Sequence, residues 1–218
     1  MATERRGSCG VYYGSTYIES EHLTQREMEV NATYIYVFLS LLNGWTINAV
    51  SALLGNMQAE SSINPGRWQS EDIFNVNMGY SLVQWTPATK YILWCDEQGY
   101  NDPSEMDNAL NRILYEVENK IQWYATPSYN FSFSAFTQSN DSVGELAKAF
   151  LLNYERPADQ SASVQAYRAS LAENWYRYLT GQDPDVPTPT PTGKKNEGYN
   201  FLLFNRRKRV SKWRNRNF

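Results

Sequence analysis

Glu60 is the residue of this chain whose type and position best suit it to move a proton. It lies in T-I-N-A-V-S-A-L-L-G-N-M-Q-A-E-S-S-I-N-P-G-R-W (Thr46 to Trp68). The first half of that stretch has the marks of a helix, with Thr46 as N-cap after Gly44 and Trp45 and with Pro65-Gly66 to end it. Ile47, Val50, Leu53, Leu54 and Met57 recur at helical spacing and predict one buried stripe. At ~100° per residue, Glu60 falls roughly 70° from the centre of that stripe, on its flank. A carboxyl group held there is partly desolvated and meets the negative end of the helix dipole, and both effects favour its protonated form. A carboxyl group that keeps a proton near neutral pH can hand it to a leaving oxygen as a general acid. A solvated helix-end glutamate has the same spacing, so periodicity alone leaves both roles open.

The elements that must hold Glu60 are mostly helical. Thr24 and Glu27 form a capping box before a helix through Met28, Val30, Ala32, Ile35, Phe38, Leu39 and Leu42, which Asn43-Gly44 stops. Asn64 to Gly79 breaks helical periodicity, and Gly79 to Gln84 predicts a tight turn where glycine allows close backbone approach. Residues 87 to 99 predict a helix with Tyr91, Ile92, Leu93 and Trp94 packed inward, ended by Gly99. Asp107 to Trp123 predicts another, with Leu110, Ile113, Leu114, Val117 and Ile121 on one face. Ala125 to Asn140 reads as loop or short strand. Ser142 opens a helix through Val143, Leu146, Ala147, Phe150 and Leu151 that ends at Tyr154-Glu155-Arg156-Pro157, where Glu155 and Arg156 have the spacing of a helix-end ion pair. Ser163 to Leu179 closes the domain with Trp175 and Tyr178 buried.

Outside this body the composition shifts. Residues 1 to 20 read as an extended N-terminal arm without a core of its own. Residues 21 to 180 form the domain, 181 to 193 a Pro/Thr linker of polyproline type, and 194 to 218 a tail that interleaves aromatics with basic residues. That tail holds nine Lys or Arg against Glu197 alone, a local charge of +8, so the net charge of -3 hides an acidic body of -11. The aromatics favour docking on another protein over purely electrostatic attachment, with a disordered solvated tail as the equal alternative and nucleic acid as the weaker expectation. No apolar run approaches the ~18 residues of a membrane span, and the N-terminus lacks the apolar core of a signal peptide. Cys9 and Cys95 are expected as unpaired thiols.

Three ordered motifs carry a family likeness: G-N-M-Q-A-E-S-S-I-N-P-G, then G-Y-S-L-V-Q-W-T-P-A, then Y-E-R-P-A. Together they resemble lysozyme-like muramidases and lytic transglycosylases, and more closely the lysozyme domain of bacteriophage tail-tip (tail knob) proteins. The resemblance covers roughly residues 22 to 180. It implies a mainly α (α+β) lysozyme-like fold in which a small loop/β region forms one wall of a cleft. It further implies peptidoglycan as substrate, Glu60 as the catalytic acid, and a virion location with action at the bacterial cell wall. Substrate binding would fall to Ser61, Trp68, Tyr80, Ser81, Gln84, Trp85, Tyr154 and Glu155. Trp68 and Tyr80 would stack on sugars, Gln84 would both donate to and accept from an N-acetyl group or hydroxyl, and Tyr154 would face the cleft near Glu60. His22 is the only histidine, which disfavours zinc peptidases and Cys-His amidases, so neither metal nor cofactor is expected. Glu71, Asp72 and Glu155 are the alternatives for a second carboxylate. Hydrolysis, an anhydro-forming transglycosylation, and a structural tail protein that binds glycan without cutting it all remain compatible with these motifs.

Overall fold

The computed structural model describes residues 21 to 182 except Asp72 and the side chain of Glu71, with the backbone of two short strands before them. Those strands, β1 (Arg5–Arg6) and β2 (Thr16–Tyr17), pair antiparallel with Arg5 opposite Tyr17 and Arg6 opposite Thr16. The rest of the N-terminal arm, the linker from residue 183 on, and the basic aromatic tail lie outside the described residues, as does Cys9.

Among the described residues, the fold is mainly helical and lysozyme-like. Its α-helices are α1 (Gln25–Tyr36), α2 (Ile47–Ser61), α3 (Thr89–Glu97), α4 (Met106–Asn119), α5 (Phe133–Gln138), α6 (Val143–Phe150) and α7 (Ala162–Thr180). The capping box at Thr24 and Glu27 is present in both directions. Past Tyr36 the chain continues as a π-helical turn, Val37–Leu41, and Gly44 at φ 74° reverses it toward α2. The Thr46 hydroxyl accepts from the Ala49 amide at 3.1 Å and starts α2 where its cap predicts.

The burial of α2 departs from expectation. Instead of one stripe, every residue from Ala49 to Met57 is buried, because α2 runs through the middle of the domain with α6 and α7 packed on it. Small side chains make this feasible: Ser51, Ala52 and Gly55 occupy the faces an ordinary surface helix would give to charge. Asn56 is fully buried on the same account, and its Nδ2 donates to the carbonyls of Ala52 (3.0 Å) and Ala147 (3.1 Å), tying α2 to α6.

Other helices correct the expectation locally. In α3, Tyr91, Trp94 and Cys95 face inward at helical spacing, which turns Leu93 out to 57% exposure; Cys95 is a buried free thiol. α4 stops at Asn119 because Lys120 takes a left-handed cap, so Ile121 is exposed and Trp123 packs from the following loop, 4.9 Å from Phe133. Within Ala125 to Asn140 a short helix forms: Ser132 caps α5 by accepting from Ala135 N, and Phe133 and Phe136, one turn apart, anchor it in the core. Tyr178 in α7 is half-buried, whereas Trp175 is buried as expected. No described helix is long and apolar enough to cross a membrane.

Gly55 is where α2 and α7 approach most tightly. A Cβ there would lie 2.5 Å from the backbone nitrogen of Ala172 and 2.7 Å from its Cα. Backbone atoms cannot rotate aside as a long side chain would, so the two helices must separate. Gly55→Ala should therefore destabilise the domain by about 1–3 kcal/mol despite the better helix propensity of alanine. Equilibrium urea unfolding checks this, the expected result being a lower midpoint at unchanged slope.

Candidate active site

A cleft of about 360 Å³ opens where the C-terminal end of α2 meets the loop after it and the turn that follows α6. That volume lies at the lower end of the ~300 to 1,000 Å³ typical of small-ligand sites. Glu60 lines it from α2. Arg67, Gln69 and Ser70 line it from the loop, Gln84 and Thr86 from the next turn, and Glu155 and Pro157 from the end of the π-helical turn Leu151–Glu155 that extends α6.

Glu60 ends the central helix with its side chain 21% exposed and forms an ion pair through Oε1 with Nη2 of Arg168. Arg168 comes from α7, is itself buried, and donates its Nη1 to the carbonyl of Asn56 at 2.8 Å. The close crossing at Gly55 lets this guanidinium lie along the last turns of α2. Glu155 stands across the cavity in a different state. The residue as a whole is half-buried, but its Oε1 is fully buried and has no hydrogen-bond partner. Loss of water and the neighbouring charge of Glu60 hold the Glu155 carboxyl well above the ordinary glutamate range, with Arg168 opposing them. Two carboxyl groups thus line the cleft, one of them paired with the buried guanidinium of Arg168.

The layer beneath is built around Glu116, fully buried on α4. Its Oε1 accepts from Trp85 Nε1 (3.0 Å) and Arg112 Nε (2.9 Å), and its Oε2 accepts from the Tyr154 hydroxyl (2.5 Å). Every contact is a donor, which suits a carboxylate. Burial nevertheless pushes the Glu116 carboxyl up from its usual range, against the pull of Arg112, Tyr154 and Trp85. Because Tyr154 precedes Glu155, the same hydroxyl fixes the backbone from which Glu155 enters the cleft.

The expected substrate-binding residues divide between these layers. Gln84 and Glu155 line the cleft beside Glu60. Tyr154 does not face it: the side chain is 1% exposed, stacked on Phe150 at 4.4 Å, and bonded to Glu116 rather than near Glu60. Trp85 is likewise buried under the turn. Trp68 and Tyr80 are buried against each other with ring centroids 4.3 Å apart, and stacking on sugars is not open to them. Isolated antiparallel bridges, Trp68 to Tyr80 and Tyr80 to Trp85, are what the expected β wall amounts to. Ser61 and Ser81 are fully buried; the Ser61 hydroxyl sits within bonding distance of the Met57 (3.0 Å) and Leu82 (2.8 Å) carbonyls and joins the helix end to the turn. Gln84 uses its amide donors on the Arg67 (3.1 Å) and Ser81 (2.8 Å) carbonyls, so it braces the turn instead of offering donors to a ligand. Gly79 meets its expected role, since a Cβ would come within 3.0 Å of the side-chain oxygens of Gln69, Gln84 and Thr86. Arg156 turns away from Glu155 and lies over the Tyr124 ring at 3.9 Å, so the expected helix-end ion pair does not form. Of the other two carboxylate candidates, Asp72 and the Glu71 side chain lie outside the described residues.

Known proteins resemble this chain in sequence. The family model described as phage tail lysozyme matches residues 30 to 179, which takes in both cleft glutamates and the helices that hold them. The chain belongs to the phage tail lysozyme family. It is also 48% identical over 166 residues to Morphogenesis protein 1 of Bacillus phage B103, a match that covers 76% of this chain and 44% of that protein. The chain therefore spans less than half the length of that relative.

For a phage tail lysozyme domain, three further side chains carry the site that the motifs did not single out. Arg168 has no sequence signal beyond being a basic residue on the inner face of α7. Glu116 does have one, since it falls on the apolar stripe of α4 one turn after Ile113 and pairs with Arg112 four residues back. Arg67, buried at the cleft, donates from Nη2 to His22 Nε2 at 2.9 Å. A guanidinium only donates, so the ring proton of His22 sits on Nδ1 and is given to Ser62 Oγ at 2.6 Å. The sole histidine thus orients an arginine at the cleft.

The state of Glu155 has a cost in stability with a definite sign. Below about pH 4.5, the ordinary glutamate value, folded and unfolded chains both carry its proton. Above that value the unfolded chain releases a proton the folded chain keeps, so stability falls with rising pH until the raised folded-state value is passed. Glu155→Gln removes this loss. The variant should be more stable than wild type at pH 7 by about 1 kcal/mol, the order typical of relieving a strained site, and the gap should close toward pH 4. Thermal unfolding of both proteins across that pH range checks it.

Proposed function

We propose that this domain is a muramidase that hydrolyses the β-1,4 bond between N-acetylmuramic acid and N-acetylglucosamine in peptidoglycan. The observation that carries this reading is Glu60, a carboxyl group fixed by a buried arginine at the end of the central helix and open to a polar cleft that also holds Glu155. Glu60 protonates the bridging oxygen, so that the leaving sugar departs as a neutral alcohol. Exclusion of water from the Glu155 side strengthens the electrostatics that stabilise the positively charged sugar in the transition state. Gln84, with Arg67, Gln69 and Ser70, lines the wall along which the glycan lies.

Residues 21 to 180 are the catalytic domain in this proposal, carried on a virion tail and acting locally on the cell wall during infection. Family membership and the likeness to a phage morphogenesis protein support that placement. The basic aromatic residues 194 to 218 serve as the tether to other tail proteins. Because the domain resembles both hydrolases and transglycosylases, the products decide the reaction: water as acceptor gives reducing muramic acid ends, and internal attack by the 6-hydroxyl gives 1,6-anhydro ends.

Mass spectrometry of muropeptides released by wild type and by Glu60→Gln tests the proposal. Wild type should release reducing ends, and the near-isosteric variant should lose about 10²- to 10⁴-fold in rate while keeping its unfolding transition. Full activity in Glu60→Gln would remove the mechanism, and an exclusively anhydro product would replace hydrolysis by transglycosylation.

A further inference from the structure

Resting on the muramidase reading, we propose that Glu155 is the second catalytic carboxyl group, the base that takes a proton from the attacking water while Glu60 protonates the bridging oxygen.

Geometry carries this assignment. Glu155 lines the same cavity as Glu60, and its Oε1 is buried there with no hydrogen-bond partner. A buried acceptor left unsatisfied is costly, so a position like this is retained where a ligand or water completes it. Arg168, the cation paired with Glu60, commits Nη1 to the Asn56 carbonyl and Nη2 to Glu60. Arg156, the adjacent cation in sequence, is held on the Tyr124 ring. What remains for Glu155 Oε1 is the space of the cleft itself.

The charges agree with the geometry. Burial and the neighbouring charge of Glu60 raise the Glu155 carboxyl, against the pull of Arg168, so the two glutamates lie near enough to act on one substrate. The assigned roles require Glu60 to enter the reaction carrying the proton and Glu155 to enter it as the anion. During the reaction the Glu60 proton passes to the bridging oxygen as the C1–O bond breaks, its electron pair leaving with the departing sugar. The water oxygen bonds to C1 and its proton goes to Glu155. The pair therefore begins and ends with a single proton, and its return from Glu155 to Glu60 resets the site. A water held between two carboxyl groups on opposite sides of the sugar inverts the configuration at C1.

Azide, a small anion that can replace both the missing base and the water, is the probe. Wild type, Glu155→Gln, Glu155→Ala and Glu60→Ala would be assayed on uncrosslinked glycan strands, each variant first compared with wild type by circular dichroism and thermal unfolding. Glu155→Gln should lose at least about 10²-fold in kcat with KM little changed, and the limb of the pH–rate profile that reports the base should vanish. Azide should restore turnover to Glu155→Ala and release a glycosyl azide of inverted configuration, while Glu60→Ala gains nothing from it. Turnover of Glu155→Gln within a few-fold of wild type overturns the assignment. So does a loss that leaves the pH limb in place, or a folded Glu155→Ala that azide does not rescue. These failures are separable from failure of the muramidase reading, which would show in wild type itself as absent cleavage or purely anhydro ends.

Discussion

Arg168 brings a buried positive charge beside a cleft lined by two carboxyl groups, and its side-chain bonds reach only one of them. One Nη is tied to the Asn56 carbonyl and the other to Glu60, so Glu155 is left with an unpartnered oxygen and a strong hold on its proton. This imbalance depends on the crossing of α2 and α7. Only a glycine at position 55 lets the helices come close enough for Arg168 to run along the last turns of α2, since any Cβ there would strike the Ala172 backbone. A packing constraint in the core thereby sets the electrostatics at the surface.

Glu116 supplies the opposite kind of site. It is as deeply buried as a charge can be in this domain, yet three donors from three segments converge on it, and it ties α4 to the turn at Trp85 and to the π-helical turn at Tyr154. Replacing such a hub by apolar groups of equal volume often costs little, whereas removing one partner leaves a buried group unpaired. Its value here is positional: the turn bearing Gln84 and the backbone bearing Glu155 are both referenced to one carboxylate. A satisfied carboxyl group below the cleft thus fixes the place of an unsatisfied one within it.

Local signals in the sequence were legible where they depend on neighbours a turn away. The caps at Thr24, Thr46 and Ser142, the stop at Gly44, and the lysozyme-like order of motifs all follow from short spacings. The site was legible in part: Glu60, Gln84 and Glu155 do line one cleft. Much of what could not be read depends on contacts between segments well separated in the sequence, as with Glu60 and Arg168 or Asn56 and Ala147. Helix α2 looks amphipathic because Ser51, Gly55 and Asn56 are polar or small, but those are the residues that permit its burial on all sides. Tyr154 sits in a motif beside the cleft, yet its aromatic ring belongs to the cluster with Phe150 and Phe133, and its hydroxyl goes to Glu116 instead of a sugar. α5 was hidden because Ser, Thr and Asn around Phe133 and Phe136 resemble loop composition, while two phenylalanines one turn apart suffice to anchor a short helix.

The claim on which the account turns is that burial and the charge of Glu60 together hold the Glu155 carboxyl above its ordinary range. Carbon-13 NMR titration of the glutamate side-chain carboxyls in wild type and in Glu60→Gln measures this directly. The account predicts that Glu155 in wild type keeps its proton well above the ordinary glutamate range. With the Glu60 charge removed and Arg168 released, Glu155 should ionise at markedly lower pH. A Glu155 resonance that titrates with the exposed glutamates in wild type, or that does not move when Glu60 is replaced, would contradict it.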